Sequence, residues 1–63
     1  MKSNDLLRIL LEAGWFIYKR GKGSHAKLRH PDHPGKQIIF PDHGSKEFAS
    51  GLANKILKQA GLK

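Results

Sequence analysis

The segment Gly21-Lys22-Gly23-Ser24-His25-Ala26-Lys27-Leu28-Arg29 sets one histidine just past a Gly-rich turn, at the head of a stretch in which polar and apolar residues alternate. The charged residues nearest His25 in the chain, Arg20, Lys22, Lys27 and Arg29, are all cations. Imidazole is the side chain whose unperturbed pKa, about 6.5, lets it take or give a proton near neutral pH. Surrounding cations suit a substrate that carries phosphate. Backbone N–H groups of a Gly-x-Gly turn can cradle phosphate, and Lys22, Lys27 and Arg29 can balance the extra charge of a pentacoordinate phosphorus. A histidine within reach of a ribose 2′-OH can act as general base, or as general acid toward the leaving 5′-oxygen. Such chemistry needs no metal when the 2′-OH is the nucleophile. His25 is therefore the candidate catalytic residue, against the plainer alternative of an exposed strand histidine with no role. Lys22, Gly23, Ser24, Lys27 and Arg29 are the candidate RNA-binding residues, with Ser24 placed to donate to phosphate or to orient His25.

The other histidines offer less. His30 and His33 flank a turn and read as solvated loop residues, while His43, after Pro41-Asp42, is a secondary candidate for catalysis or RNA contact. A zinc site is not expected, because the histidine spacing is irregular, cysteine is absent and no helix presents His at i, i+4. Asp5, Glu12, Asp32, Asp42 and Glu47 fall on separate elements and give no paired acid/base site. The segment Gly21–Ser24 lacks the spacing of a nucleotide-binding phosphate loop and has no following helix. Phe16, Tyr18 and Trp15 could stack on bases if exposed, the alternative being core packing for at least two of the three.

The chain that must position these groups has 63 residues, enough for a single domain over 1–63 with a thin core. Twelve Lys/Arg against five Asp/Glu leave a formal net charge of +7, which implies a polyanionic partner. The absence of cysteine fits a cytoplasmic, reducing setting. No apolar run approaches the ~20 residues of a membrane span, no signal peptide is expected, and no small-molecule cofactor or membrane partner is indicated.

Residues 3–13 read as a helix, with Ser3 as N-cap, Asp5 in the first turn and Leu6, Leu7, Leu10, Leu11 and Ala13 as the apolar stripe. Gly14 is the stop, free to take a positive φ. Trp15–Arg20 reads as a strand, and whether Trp15/Ile17 or Phe16/Tyr18 face inward is open. Gly21-Lys22-Gly23 is hairpin material. Ser24–His30 follows as a strand with His25, Lys27 and Arg29 on one face and Ala26 and Leu28 on the other. A Pro-rich turn over 31–35 leads to a third strand, Lys36–Phe40, ended by Pro41. A helical turn around Lys46-Glu47-Phe48 is expected before a last helix capped by Ser50 and running to Gln59. Its buried stripe is Leu52, Ala53, Ile56, Leu57 and Ala60, and Gly61-Leu62 fits a Schellman ending. The order α-β-β-β-α predicts an α+β fold, two helices covering one face of a three-stranded antiparallel sheet.

These landmarks together resemble the HicA (YcfA-like) family, small mRNA-interferase toxins of type II toxin–antitoxin modules. The resemblance runs nearly end to end: the helix closing in Gly14-Trp15, the Gly23-Ser24-His25 motif, His30-Pro31, Pro41-x-His43 and the ending Ile56-Leu57-Lys58-Gln59-Ala60-Gly61-Leu62. It departs where this chain has Gly51-Leu52-Ala53 for a frequent Gly-Thr-Leu, and Phe48 for a frequent Leu. The resemblance implies a double-stranded-RNA-binding-domain-like fold and metal-independent RNA cleavage that depends on the motif histidine, His25. It also implies a cognate antitoxin, HicB, that blocks the active site. The rival reading is a non-catalytic double-stranded RNA-binding module, which needs lysines at the N-terminal end of its second helix. A DNA-binding regulator is disfavoured by the lack of a helix-turn-helix pattern.

Overall fold

Amphipathic helices and half-apolar strands hide their apolar sides only against each other, and that requirement sets the architecture. In the computed structural model, which describes residues 1–21, 25–42 and 46–63, the elements are α1 (Ser3–Glu12), β1 (Phe16–Arg20), β2 (His25–Arg29), β3 (Ile38–Pro41) and α2 (Ser50–Gln59). The order is the expected α-β-β-β-α. The three strands form one antiparallel sheet in the order β1-β2-β3, so β2 is central. Leu6 and Leu10 of α1 and Ala53 and Ile56 of α2 share a core with Ala26, Leu28, Ile38 and Phe40 of the sheet. Removing a side chain such as Leu10 or Phe40 from water contributes about 1.5–3 kcal/mol each. Among the described residues no helix is long and apolar enough to cross a membrane.

Both helices end alike. In α1 the Gly14 amide donates to Leu11 O and the Trp15 amide to Leu10 O, and in α2 the Gly61 amide donates to Lys58 O and the Leu62 amide to Leu57 O. Each pair is a Schellman motif, with glycine at φ +102° (Gly14) and +75° (Gly61). At the first, Trp15 is drawn back onto the helix and is 3% exposed. That settles the orientation of β1: Trp15 and Ile17 turn to the core, Phe16 and Tyr18 to solvent.

The helix starts differ from expectation. Neither Ser3 nor Ser50 is a cap; Lys2 and Ala49 hold the extended N-cap positions, without a side-chain cap bond. The cause at α1 is a tertiary pairing. Lys2 forms a β-bridge with Glu47, the Ser3 amide donates to Lys46 O and the Phe48 amide to Met1 O. Residues 46–48 are accordingly extended rather than a helical turn, and Ser3, fully buried, becomes the first helical residue. The apolar stripes are narrower than predicted, since Leu11 and Leu52 are exposed. β3 starts two residues later than expected and includes Pro41, which an edge strand tolerates.

Candidate active site

The alternation of β2 divides its side chains between two environments. Ala26 and Leu28 are buried, while His25 and Arg29 are exposed and Lys27 half-buried on the opposite, open face. His25 is the first residue of β2, where its carbonyl accepts a hydrogen bond from the Gly21 amide at 2.9 Å across the hairpin. Its partner in β3 is Pro41, and Lys27 lies opposite Ile39. The structure thus brings together His25, Lys27 and Arg29. The remaining predicted site residues, Lys22, Gly23, Ser24 and His43, lie outside the described residues.

The open face carries more than the sequence suggested. The register between β1 and β2 shifts at Tyr18: Ile17 pairs with Leu28, but Lys19 pairs with Lys27. This β-bulge places both Tyr18 and Lys19 against one residue of β2. Without it, strict alternation would set Lys19 opposite Ala26, on the core side. With it, two lysines stand directly opposite, an arrangement that destabilises a sheet and makes sense beside a bound anion. Lys19 was missed because an internal bulge has no marker in the spacing of Trp15–Arg20. Phe16 pairs with Arg29 on the same face, and the Arg29 guanidinium sits 4.3 Å from the centroid of the Tyr18 ring. The Tyr18 hydroxyl donates to Gln37 Oε1.

Arg20, by contrast, does not join this group. The bulge sets it opposite Ala26, and its guanidinium pairs with Asp42 at 3.5 Å.

His30 and His33 have structural work. The His30 Nε2 lies 2.8 Å from Ala13 O, and its Nδ1 accepts the Asp32 amide at 3.0 Å. That pair of contacts is satisfied by the neutral tautomer protonated at Nε2. The Trp15 ring meets His30 edge-on and His33 in a stack, with centroids 5.3 and 5.7 Å away. These two histidines lock the Gly14 corner against the turn over 31–35. No group of three His, Asp or Glu among the described residues is arranged to hold a metal ion. A groove of about 310 Å³ between β3 and α2 is lined by Gln37, Ile39, Leu52, Lys55, Ile56 and Gln59; it holds no histidine or carboxylate, and Lys55 is its one titratable group among the described residues.

Residues 3–62 match the family described as the HicA toxin of bacterial toxin–antitoxin systems. The chain is also 44% identical over 63 residues to a protein of Pseudomonas fluorescens (strain Pf0-1) named "Probable mRNA interferase HicA", covering 100% of this chain and 98% of that one.

Proposed function

The chain belongs to the HicA toxin family, and from that premise we propose that it is an endoribonuclease that cleaves single-stranded mRNA through His25 and is silenced by a cognate HicB-type antitoxin. The observation that carries this reading is the placement of His25, Lys27 and Arg29 side by side on the solvent face of the central strand. A 2′-OH that loses its proton attacks the adjacent phosphorus, the bond to the 5′-oxygen breaks, and the products are a 2′,3′-cyclic phosphate and a 5′-OH. His25 serves as base toward the 2′-OH or as acid toward the departing oxygen, with solvent making the complementary transfer. Lys27, together with Lys22, Gly23 and Ser24 of the adjoining segment, holds the phosphate and offsets charge that grows in the transition state, and Arg29 contacts the RNA further along the same strand face. His43 is the secondary candidate. No step requires a metal ion, because the nucleophile is supplied by the substrate.

The rival binding module is disfavoured by one feature. The start of α2, Ser50-Gly51-Leu52-Ala53, has no lysine, and Lys55 and Lys58 come only later in the helix. The decisive experiment is His25→Ala. The variant should keep its fold, since the side chain is exposed, and lose about 10²–10⁴-fold in cleavage rate. Cleavage by the parent should persist in excess EDTA and fail on RNA with 2′-deoxyribose at the scissile position. A folded His25→Ala protein with undiminished activity refutes the assignment.

A further inference from the structure

We propose that Phe16, Tyr18 and Arg29 form a stacking platform for an unpaired nucleobase flanking the scissile phosphate, a base subsite built into the same sheet face; this rests on the RNA reading above. Phe16 is 46% and Tyr18 36% exposed. Two aromatic rings left in solvent on one face of a domain short of core add little to its stability, and an apolar patch rimmed by polar groups marks a surface that meets a ligand. Their surroundings indicate which ligand. In register, Phe16 faces Arg29, and the bulged Tyr18 is followed by Lys19, which faces Lys27. None of the three strands contains a carboxylate, and aromatic rings interleaved with cations are how proteins hold single-stranded nucleic acid, the rings taking bases and the cations the backbone. An apolar protein surface laid there would bury the rings and Ile39 (45% exposed), but it would strip water from the same cations and offer them no partner.

The platform is also fixed before binding. The register shifts at Tyr18, the Arg29 guanidinium lies 4.3 Å from its ring centroid, and Gln37 Oε1 at the approach to β3 accepts a hydrogen bond from its hydroxyl. A planar guanidinium on an aromatic ring offers an extended flat surface to a base. Arg29 lies four residues beyond His25 on β2, about 13 Å at ~3.3 Å per residue. A base stacked there belongs to a flanking nucleotide, not to the one being cleaved. The subsite requires that base to be unpaired, and so would contribute to selection of single strands over duplex.

The test uses the full chain in the His25→Ala background, with labelled single-stranded RNA, the same strand annealed to its complement, and a strand of equal length with abasic nucleotides. Tyr18→Ala and Phe16→Ala should each weaken binding to the single strand by about 5- to 100-fold, the loss of one base stack. Their salt dependence should not change, because no phosphate contact is removed. Neither should weaken binding to abasic RNA or to duplex, and Tyr18→Phe, which keeps the ring, should recover most of the affinity. Both side chains are exposed, and circular dichroism confirms the fold of each variant. If the parent binds base-bearing and abasic strands equally, the platform is overturned while the RNA reading stands. If the parent binds no RNA, the RNA reading falls and the platform with it. If Tyr18→Ala leaves RNA binding intact but abolishes binding of the cognate antitoxin, the surface belongs to the protein partner and the proposal is wrong.

Discussion

Replacing Gly14 by alanine should unfold this protein far more readily than the same change at Gly61, although both glycines close a helix in the same way. At Gly61, with φ +75°, a Cβ meets nothing within 4 Å. Alanine there bears only the left-handed penalty, about 1–2 kcal/mol, offset in part by about 0.4–1 kcal/mol from a stiffer unfolded chain. At Gly14, with φ +102°, the added Cβ would stand 2.5 Å from His30 Nε2. The imidazole cannot stay, yet that nitrogen holds the 2.8 Å bond to Ala13 O. Losing it costs about 0.5–1.5 kcal/mol, and more if a partner is left unsatisfied. Gly14→Ala should then cost about 2–4 kcal/mol in all. At about 4–8 °C per kcal/mol for a domain of this size, thermal unfolding followed by circular dichroism resolves the two variants easily. The mechanism is isolated by a double-mutant cycle. In a His30→Ala background the ring is gone, and Gly14→Ala should fall to about the cost of Gly61→Ala. Equal losses for the two glycines in the parent, or an undiminished Gly14→Ala penalty without the imidazole, refutes the steric argument.

Three further outcomes are expected. Lys19→Thr should flatten the slope of log affinity for single-stranded RNA against log salt by about 0.7, the value for one lost phosphate contact, with an equal or higher melting temperature because a like-charge cross-strand pair is relieved; a lower melting temperature would show that the lysine is structural. Charge reversal at Lys27 and Arg29 together should weaken RNA binding and slow antitoxin association, most at low salt, and RNA and antitoxin should displace one another; simultaneous binding without mutual loss would exclude direct blocking. The Glu47 carboxyl should titrate below the usual glutamate range by NMR, because the Met1 ammonium donates to it at 2.8 Å. Its pairing is therefore kept above the ordinary carboxylate range and lost as pH falls through the lowered value, and acetylating the terminus should restore ordinary titration.

What could be read from the chain was whatever local spacing decides. The element order, the alternation of His25 to Arg29 and the Gly61-Leu62 ending follow from periods of two and 3.6 and from where glycine is needed. The same Schellman rule, applied to Gly14-Trp15, turns Trp15 inward and leaves Phe16 and Tyr18 outside, so the orientation of β1 is also encoded in that local spacing. The caps were not legible, because Ser3 and Ser50 are good cap residues by type, and only the bridge between Lys2 and Glu47 moves the first helix start. Leu11 and Leu52 match their helical stripes by spacing and lose their places to geometry, since two short helices over a three-stranded sheet leave room for fewer side chains than the pattern offers. Lys19 joined the site, and Arg20 left it, through one inserted residue at Tyr18.

The pairing of the first residues with the approach to α2 bears on the order in which the molecule assembles. The hairpin of β1 and β2, which presents His25, Lys27 and Arg29, joins neighbours in sequence. The contact between Met1 and Glu47 spans 46 residues, and its closure entropy must be met before it stabilises anything. Substitutions at Lys2 or Glu47 should therefore speed unfolding while leaving the folding rate nearly unchanged. On a translating ribosome the segment around Lys2 waits, unlatched, until the segment before α2 has emerged, so the strand that carries His25 takes shape before the domain around it is closed.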